Sequence, residues 1–250
     1  MIKAFEELAY SRTPLGELSL RRRRLSTQEP YIYEIKLGDE FLMSSLFTEG
    51  ETALAELGLQ PLVPNRLDVA VGGLGLGYTA ASVLRNPRVK SLCVIEKFPE
   101  VIEWHCKDVV PLGRVLTADP RCHLLEGDFF AIFGVPVREE DVGIGGRKLH
   151  AILVDIDHSP RCLLSPAHET FYKPDGLRAM ATHLHPGGIF ALWSNDPPDD
   201  KFLDVLFEIF DVSQAKIVTF NNPLQNGMAA STIYIARAVH ERPQVHRSPS

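Results

Sequence analysis

Cysteine is scarce in this chain, with four among 250 residues, at 93, 106, 122 and 162, and none spaced C-x-x-C. That argues against a disulfide framework or a zinc site and leaves buried thiols as the expected reading. The nine histidines are scattered, and the closest pair, His183 and His185, falls at a helix end rather than on one helical face, so no metal site is expected. Long apolar runs are missing too: none approaches the ~18 residues of a membrane span. The opening Met1-Ile2-Lys3-Ala4-Phe5-Glu6-Glu7 carries acids where a signal peptide needs an apolar core. A soluble, cytoplasmic protein is the expectation. Positive charge is not in excess, since the formal net charge is −6. No global field would therefore draw the chain to nucleic acid or an anionic membrane, and the partner is expected to be a small molecule. What the chain does have is a 45% hydrophobic and 23% charged composition, enough for one large core, with or without a small appendage.

Residues 15–46 alternate as strands do, at 17–20, 31–37 and 40–43, with a Gly38-Asp39 turn between the last two. This predicts a small antiparallel unit ahead of the main domain. The run Arg21-Arg22-Arg23-Arg24 resembles a nucleic-acid patch, but on a strand only alternate side chains share a face. Solvated or ion-paired arginines on an edge strand are the expected reading. A helix over 48–57 follows, with Thr48 as N-cap and Gly58 as stop.

From Leu67 apolar strands alternate with amphipathic helices, the pattern of a parallel sheet. Strands are predicted at 67–71, 91–95, 122–125, 150–154, 188–193, 216–220 and 231–236, and helices at 99–110, 176–184 and 201–210. The expected fold class is α/β: a doubly wound, Rossmann-like sheet of the class I S-adenosylmethionine-methyltransferase type, its last strand antiparallel, with a small N-terminal β unit. Residues 1–58 form that unit and a linking helix, 59–238 the nucleotide-binding domain, and 239–250 a polar tail. A polar surface loop is expected over 134–148.

In such a sheet ligands bind at the carboxyl ends of the strands, where strand order reverses. The first strand runs into Gly72-Gly73-Leu74-Gly75-Leu76-Gly77, whose glycines allow a sharp turn and a close backbone approach to a ligand. Glu96 ends the second strand, about twenty residues after the glycines, where a carboxylate can accept hydrogen bonds from both hydroxyls of a ribose. Asp128 ends the third strand, placed to accept from an adenine amino group or, equally, to cap the helix that follows. Asp155 ends the fourth, beginning Asp155-Ile156-Asp157-His158-Ser159-Pro160, where two carboxylates and an imidazole crowd a short loop. Such crowding is costly unless the groups bind a cation, pair, or move protons. A turn held by Asp side chains before a proline is the alternative.

These motifs, together with Val94-Ile95-Glu96-Lys97, Asp119-Pro120-Arg121, Glu126-Gly127-Asp128, Phe171-Tyr172 and Pro186-Gly187-Gly188-Ile189-Phe190, resemble in order and spacing the spermidine synthases, or polyamine aminopropyltransferases. The resemblance runs from about Tyr31 to Ala236. It implies transfer of an aminopropyl or other alkyl group from decarboxylated S-adenosylmethionine, or S-adenosylmethionine itself, to a small amine, without a metal, and a homodimer. Under it Gly72, Gly73, Gly75, Gly77, Glu96, Lys97 and Asp128 hold the donor. Asp155 is the base, and Asp157 and His158 orient the acceptor or tune that base. Gly75 stands where the family carries an aspartate that helps hold the donor's ammonium, and His158 where it carries a second aspartate. In place of the family's D-G-x-x-Q segment this chain has Leu37-Gly38-Asp39-Glu40-Phe41. Methyl transfer, and a non-catalytic nucleotide-binding protein of the same fold, remain open alongside aminopropyl transfer.

Overall fold

The computed structural model describes residues 5–24, 26, 28–137, 148–225 and 227–239. Most of the loop expected at 134–148 and of the tail expected at 239–250 lies outside the described residues.

Four strands, β1 (Phe5–Thr13), β2 (Gly16–Arg23), β3 (Ile32–Leu37) and β4 (Glu40–Ser44), form an antiparallel sheet in chain order. Alternation places Leu18, Leu20 and Ile35 on its buried face, with Leu20 directly opposite Ile35. The strand β1 is not expected from sequence, because a bulge between Glu7 and Ala9 breaks its alternation. Its presence corrects the reading of the arginine run: β2 is an interior strand, not an edge. The arginines are ion-paired. Arg21 and Arg23 share a face and donate to the two oxygens of buried Glu34 at 2.9 and 2.8 Å, while Arg22, on the other face, pairs with Glu6 at 2.8 Å.

The second sheet has seven strands: β5 (Leu67–Gly72), β6 (Val89–Glu96), β7 (Cys122–Glu126), β8 (Leu149–Val154), β9 (Leu184–Ser194), β10 (Val212–Asn222) and β11 (Gly227–Arg237). Their order is β10-β11-β9-β8-β5-β6-β7. Neighbours from β9 to β7 run parallel, and β11 is antiparallel to both β9 and β10, so the antiparallel last strand is as expected. The helices are α1 (Glu49–Leu59), α2 (Tyr78–Arg85), α3 (Pro99–Cys106), α4 (Gly113–Thr117), α5 (Phe129–Phe133), α6 (Pro174–Ala181) and α7 (Asp200–Ile209). They cover both faces. Along β5, Val69 and Val71 enter one apolar cluster with Leu54 and Leu92, whereas Ala70 enters the other with Phe190 and Leu206. The chain leaves β5 for β6 and β7 on one side and returns to β8 on the other, so strand order reverses between β5 and β8, and a crevice opens there.

Several local expectations need correction. Thr48 makes no side-chain cap, and Gly58 lies inside α1, which continues to Leu59. The glycine serves packing instead: a Cβ there would stand 2.6 Å from Leu153 Cδ2. The expected linking helix thus lies directly on the seven-stranded sheet. The helix expected over 99–110 stops at Cys106, because Asp108 takes a left-handed backbone (φ 57°), and the short α4 follows. The cysteines are all free, but against the expected burial Cys106 and Cys162 are exposed and Cys93 and Cys122 only partly buried. Burial pushes the Cys93 and Cys122 thiols up to about 11 and about 12.

Candidate active site

The glycine turn and Asp155 meet where the sheet reverses. Asp155 N–H donates to the Gly72 carbonyl at 2.9 Å. Gly73 has φ +91°, and a Cβ on it would fall 2.1 Å from the Asp155 carbonyl oxygen, so only glycine lets the ends of β5 and β8 close together here. Two residues on, Gly75 has φ +47° and faces Met43 of the N-terminal sheet, whose Sδ would be 2.8 Å from a Cβ. The same sulfur accepts a hydrogen bond from Leu76 N–H at 3.1 Å. The N-terminal sheet therefore forms one wall of the site.

Glu96, at the end of β6, is buried and accepts from Leu74 N–H on Oε2 and from Phe98 N–H on Oε1, each at 2.9 Å. Burial raises its pKa against the opposing pull of these backbone donors. The backbone N–H groups of Gly75 and Lys97 add to that pull. Asp128 caps α5 through Oδ1, from Phe130 N–H at 3.0 Å and Ala131 N–H at 3.2 Å, and pairs through Oδ2 with Lys97 at 2.8 Å. Burial works to raise the Asp128 pKa, but Lys97 and the two N–H groups together outweigh it and the net shift is down.

In the crowded loop after β8 the three side chains part company, two towards the crevice and one into the protein. Asp155 faces the crevice and accepts from the Thr79 hydroxyl at 2.5 Å. Asp157 turns into the protein, fully buried, accepting from Leu164 N–H at 2.7 Å and Tyr172 OH at 2.8 Å and lying 2.9 Å from His168 Nδ1. It fastens the loop, and the ring it holds, His168, stacks on Phe130 at 3.9 Å between centroids and lines the crevice. His158 also lines the crevice, with Nε2 2.9 Å from Glu40 Oε1 on β4.

Glu51, in the first turn of α1, is a site residue that sequence reasoning missed. Burial pushes Asp155 up to about 6, with the Thr79 hydrogen bond opposing. Burial, and next the charge of Asp155, push Glu51 up to about 8. The two carboxyls titrate as a pair, one retaining its proton where both would ordinarily be ionised. In sequence Glu51 reads only as one of two acids at a helix N-terminus; nothing in its neighbours signals the pairing.

One crevice thus joins Glu51, Gly75, Glu96, Asp128, Asp155 and His158. Its free volume is about 130 Å³, below the ~300 Å³ at which small-molecule pockets usually begin. An adenosyl ligand fits the donor set but requires walls such as Leu15, from the β1–β2 turn, to give way. A wider depression of about 780 Å³ on the far side of Phe130 touches neither Asp155 nor the glycine turn. Among the described residues no group of three or more His, Cys, Asp or Glu is placed to hold a metal, and no helix is long and apolar enough to cross a membrane.

No family model matches the chain. Over 127 residues it is 28% identical to putrescine N-methyltransferase 3 of Nicotiana tabacum, a stretch covering 51% of this chain and 30% of that protein. The match thus spans less than a third of the curated relative. Among solved structures, the spermidine synthase of Thermotoga maritima superposes with a TM-score of 0.66 at 15% identity, over 92% of this chain and 72% of that one. A spermidine synthase in complex with the transition-state analogue AdoDATO superposes at 0.68, with 15% identity, over 92% and 73%. A probable spermidine synthase from Corynebacterium glutamicum gives 0.59 at 13% identity, over 95% and 80%. The fold of this chain, N-terminal sheet and seven-stranded domain together, is that of the solved spermidine synthases.

Proposed function

We propose that the chain is a spermidine-synthase-like transferase of the cytoplasm that moves an aminopropyl or other alkyl group from an S-adenosyl sulfonium donor to a small amine. The observation that carries this reading is the Asp155 carboxyl, raised towards about 6 and set in one crevice with the glycine turn and Glu96. The donor, when bound, supplies an electrophilic carbon and a thioether leaving group. Glu96 accepts from its ribose hydroxyls, Asp128 beside Lys97 faces the adenine end, and the glycine turn lets backbone approach the sulfonium. An amine with a solution pKa of ~10 is protonated and must lose a proton before its nitrogen has a lone pair to attack the carbon. Asp155 takes that proton, and the lone pair so freed forms the new carbon–nitrogen bond as the carbon–sulfur bond breaks and its electron pair leaves on the thioether. Thr79 holds the carboxylate in place, and Asp157 keeps the loop that carries it from moving.

Methyl transfer is the second reading, favoured by Gly75, which removes the aspartate that in the spermidine synthases holds the donor's ammonium and would repel a carboxylate there. The matched stretch of a putrescine N-methyltransferase is consistent with it. A thermal-shift comparison of S-adenosylmethionine, its decarboxylated form, methylthioadenosine and S-adenosylhomocysteine, followed by turnover on an amine panel, tests both. Stabilisation by these nucleosides without turnover on any amine would favour the non-catalytic alternative. Homodimerisation, which the resemblance implies, is read by sedimentation.

A further inference from the structure

Beyond Asp155 the crevice opens into a second compartment of about 430 Å³, walled by the N-terminal sheet and the β10–β11 hairpin. The two share Leu42, Met43, Glu51, His158 and Trp193. Aromatic rings dominate the second: Phe41, Phe47 and Phe220 join Trp193, with Phe47 and Phe220 6.0 Å apart between centroids. Its charges are unevenly placed. Glu51 borders both this compartment and the donor crevice, which Asp155 also lines. Glu34 lines this compartment but not the donor crevice, and each of its oxygens already accepts from a guanidinium, Arg21 at 2.9 Å and Arg23 at 2.8 Å. Arg23 itself lines the compartment. Phe41 already faces Arg21 at 4.8 Å and Lys36 at 5.1 Å. The remaining polar groups are neutral, chiefly Asn195, Asn222 and Ser231, apart from His158, which is paired with Glu40.

The compartment therefore provides for one positive charge, beside the reacting carbon, and for an apolar body behind it. A second ammonium would have to shed water among aromatic rings and meet two guanidiniums that share one carboxylate. Building on the transferase reading, we propose that the acceptor is a monoamine with an aromatic or branched apolar tail, and that the Arg21–Glu34–Arg23 cluster excludes α,ω-diamines.

The test is calorimetric titration of amines into the full-length chain saturated with methylthioadenosine, at about pH 7.5, where simple amines are cationic. Phenethylamine and isopentylamine are expected to bind about tenfold or more tightly than 1,4-diaminobutane. Arg23→Gln is expected to narrow that ratio, by relieving repulsion of the second ammonium. Diaminobutane binding as tightly as the monoamines, or no amine binding to the nucleoside-loaded protein, overturns the acceptor assignment alone. No binding of methylthioadenosine itself removes the transferase reading, and this assignment with it. The parent ratio decides the matter even where Arg23→Gln fails to fold. An unchanged ratio in a folded Arg23→Gln protein sinks the role given to the arginines.

Discussion

The Thr79 hydroxyl donates to the Asp155 carboxylate at 2.5 Å, tying the first turn of α2 to the end of β8. That bond holds the Asp155 pKa below where burial alone would put it. Asp155→Asn is expected to leave nucleoside binding nearly intact and to lower turnover roughly 10²-fold or more, since an amide of the same shape takes no proton. His158→Ala is expected to cost less. Thr79→Val removes the opposing hydrogen bond, so the acid limb of the kcat/KM profile is expected to move to higher pH. Normal turnover by Asp155→Asn on an identified acceptor defeats the assignment of the base.

Glu96 accepts from backbone donors on both oxygens and lines the crevice. Glu96→Ala is expected to weaken methylthioadenosine by about 1.5 to 3 kcal/mol, the range for hydrogen bonds to a charged group. Titration of mutant and parent with the same nucleoside measures this. Equal affinities place the ribose elsewhere.

The Glu51–Asp155 pair makes stability depend on pH, with a definite sign. Both carboxyls have folded-state values above their ordinary ones, Asp155 about 6 and Glu51 about 8. The native chain thus holds protons that the unfolded chain releases, and stability falls as pH rises through this range. The thermal midpoint is expected to decline between about pH 5 and pH 8, and Glu51→Gln to flatten the decline. A parent midpoint that rises over this interval, with the mutant following it in parallel, contradicts the pairing.

Gly75 and Met43 occupy one another's space, with a Cβ at 75 only 2.8 Å from the Met43 sulfur. Gly75→Asp alone is expected to destabilise the fold by about 1 to 3 kcal/mol, through its left-handed backbone and the displaced thioether. Adding Met43→Ala is expected to recover part of that loss. In the double variant the new carboxylate attracts the ammonium of decarboxylated S-adenosylmethionine and repels the carboxylate of the intact donor. Each such contribution is about 4 kcal/mol at ~4 Å and an effective dielectric of ~20, before desolvation. Titration of both donors into both proteins is expected to show a shift towards the decarboxylated one. A parent that already prefers it strongly gives the donor's ammonium to another acid, and favours aminopropyl over methyl transfer.

Much of this architecture is legible in the sequence because its signals are periodic or steric. The apolar runs of β5, β6 and β8 read as buried parallel strands, and the glycines after β5 as a turn against a ligand. Acids ending β6, β7 and β8 read as site residues because topology alone carries strand ends to one place. Glu51 escapes this logic. It arrives from α1, ahead of the whole doubly wound unit, and only tertiary packing sets it against Asp155. Asp157 misleads in the opposite sense: its place two residues from Asp155 suggests a shared role, yet its side chain turns into the protein, towards His168 and Tyr172, which lie well downstream. The interior place of β2, and with it the pairing of the arginines, depends on β1, whose bulge hides it from any test of alternation.

The position of β11 bears on how the molecule is made. It follows β10 in the chain yet lies between β10 and β9 in the sheet. During synthesis, at roughly 5 to 20 residues per second, β10 emerges with no neighbour to join. The edge of β9 over residues 189–194 meanwhile stays open until residues 232–237 can reach it. Closing that gap is one event that seats two strands at once. A nascent chain stalled between Asn222 and Gly227 would therefore present an unpaired apolar strand edge to other chains, a hazard set by the order of translation and not by the stability of the finished fold.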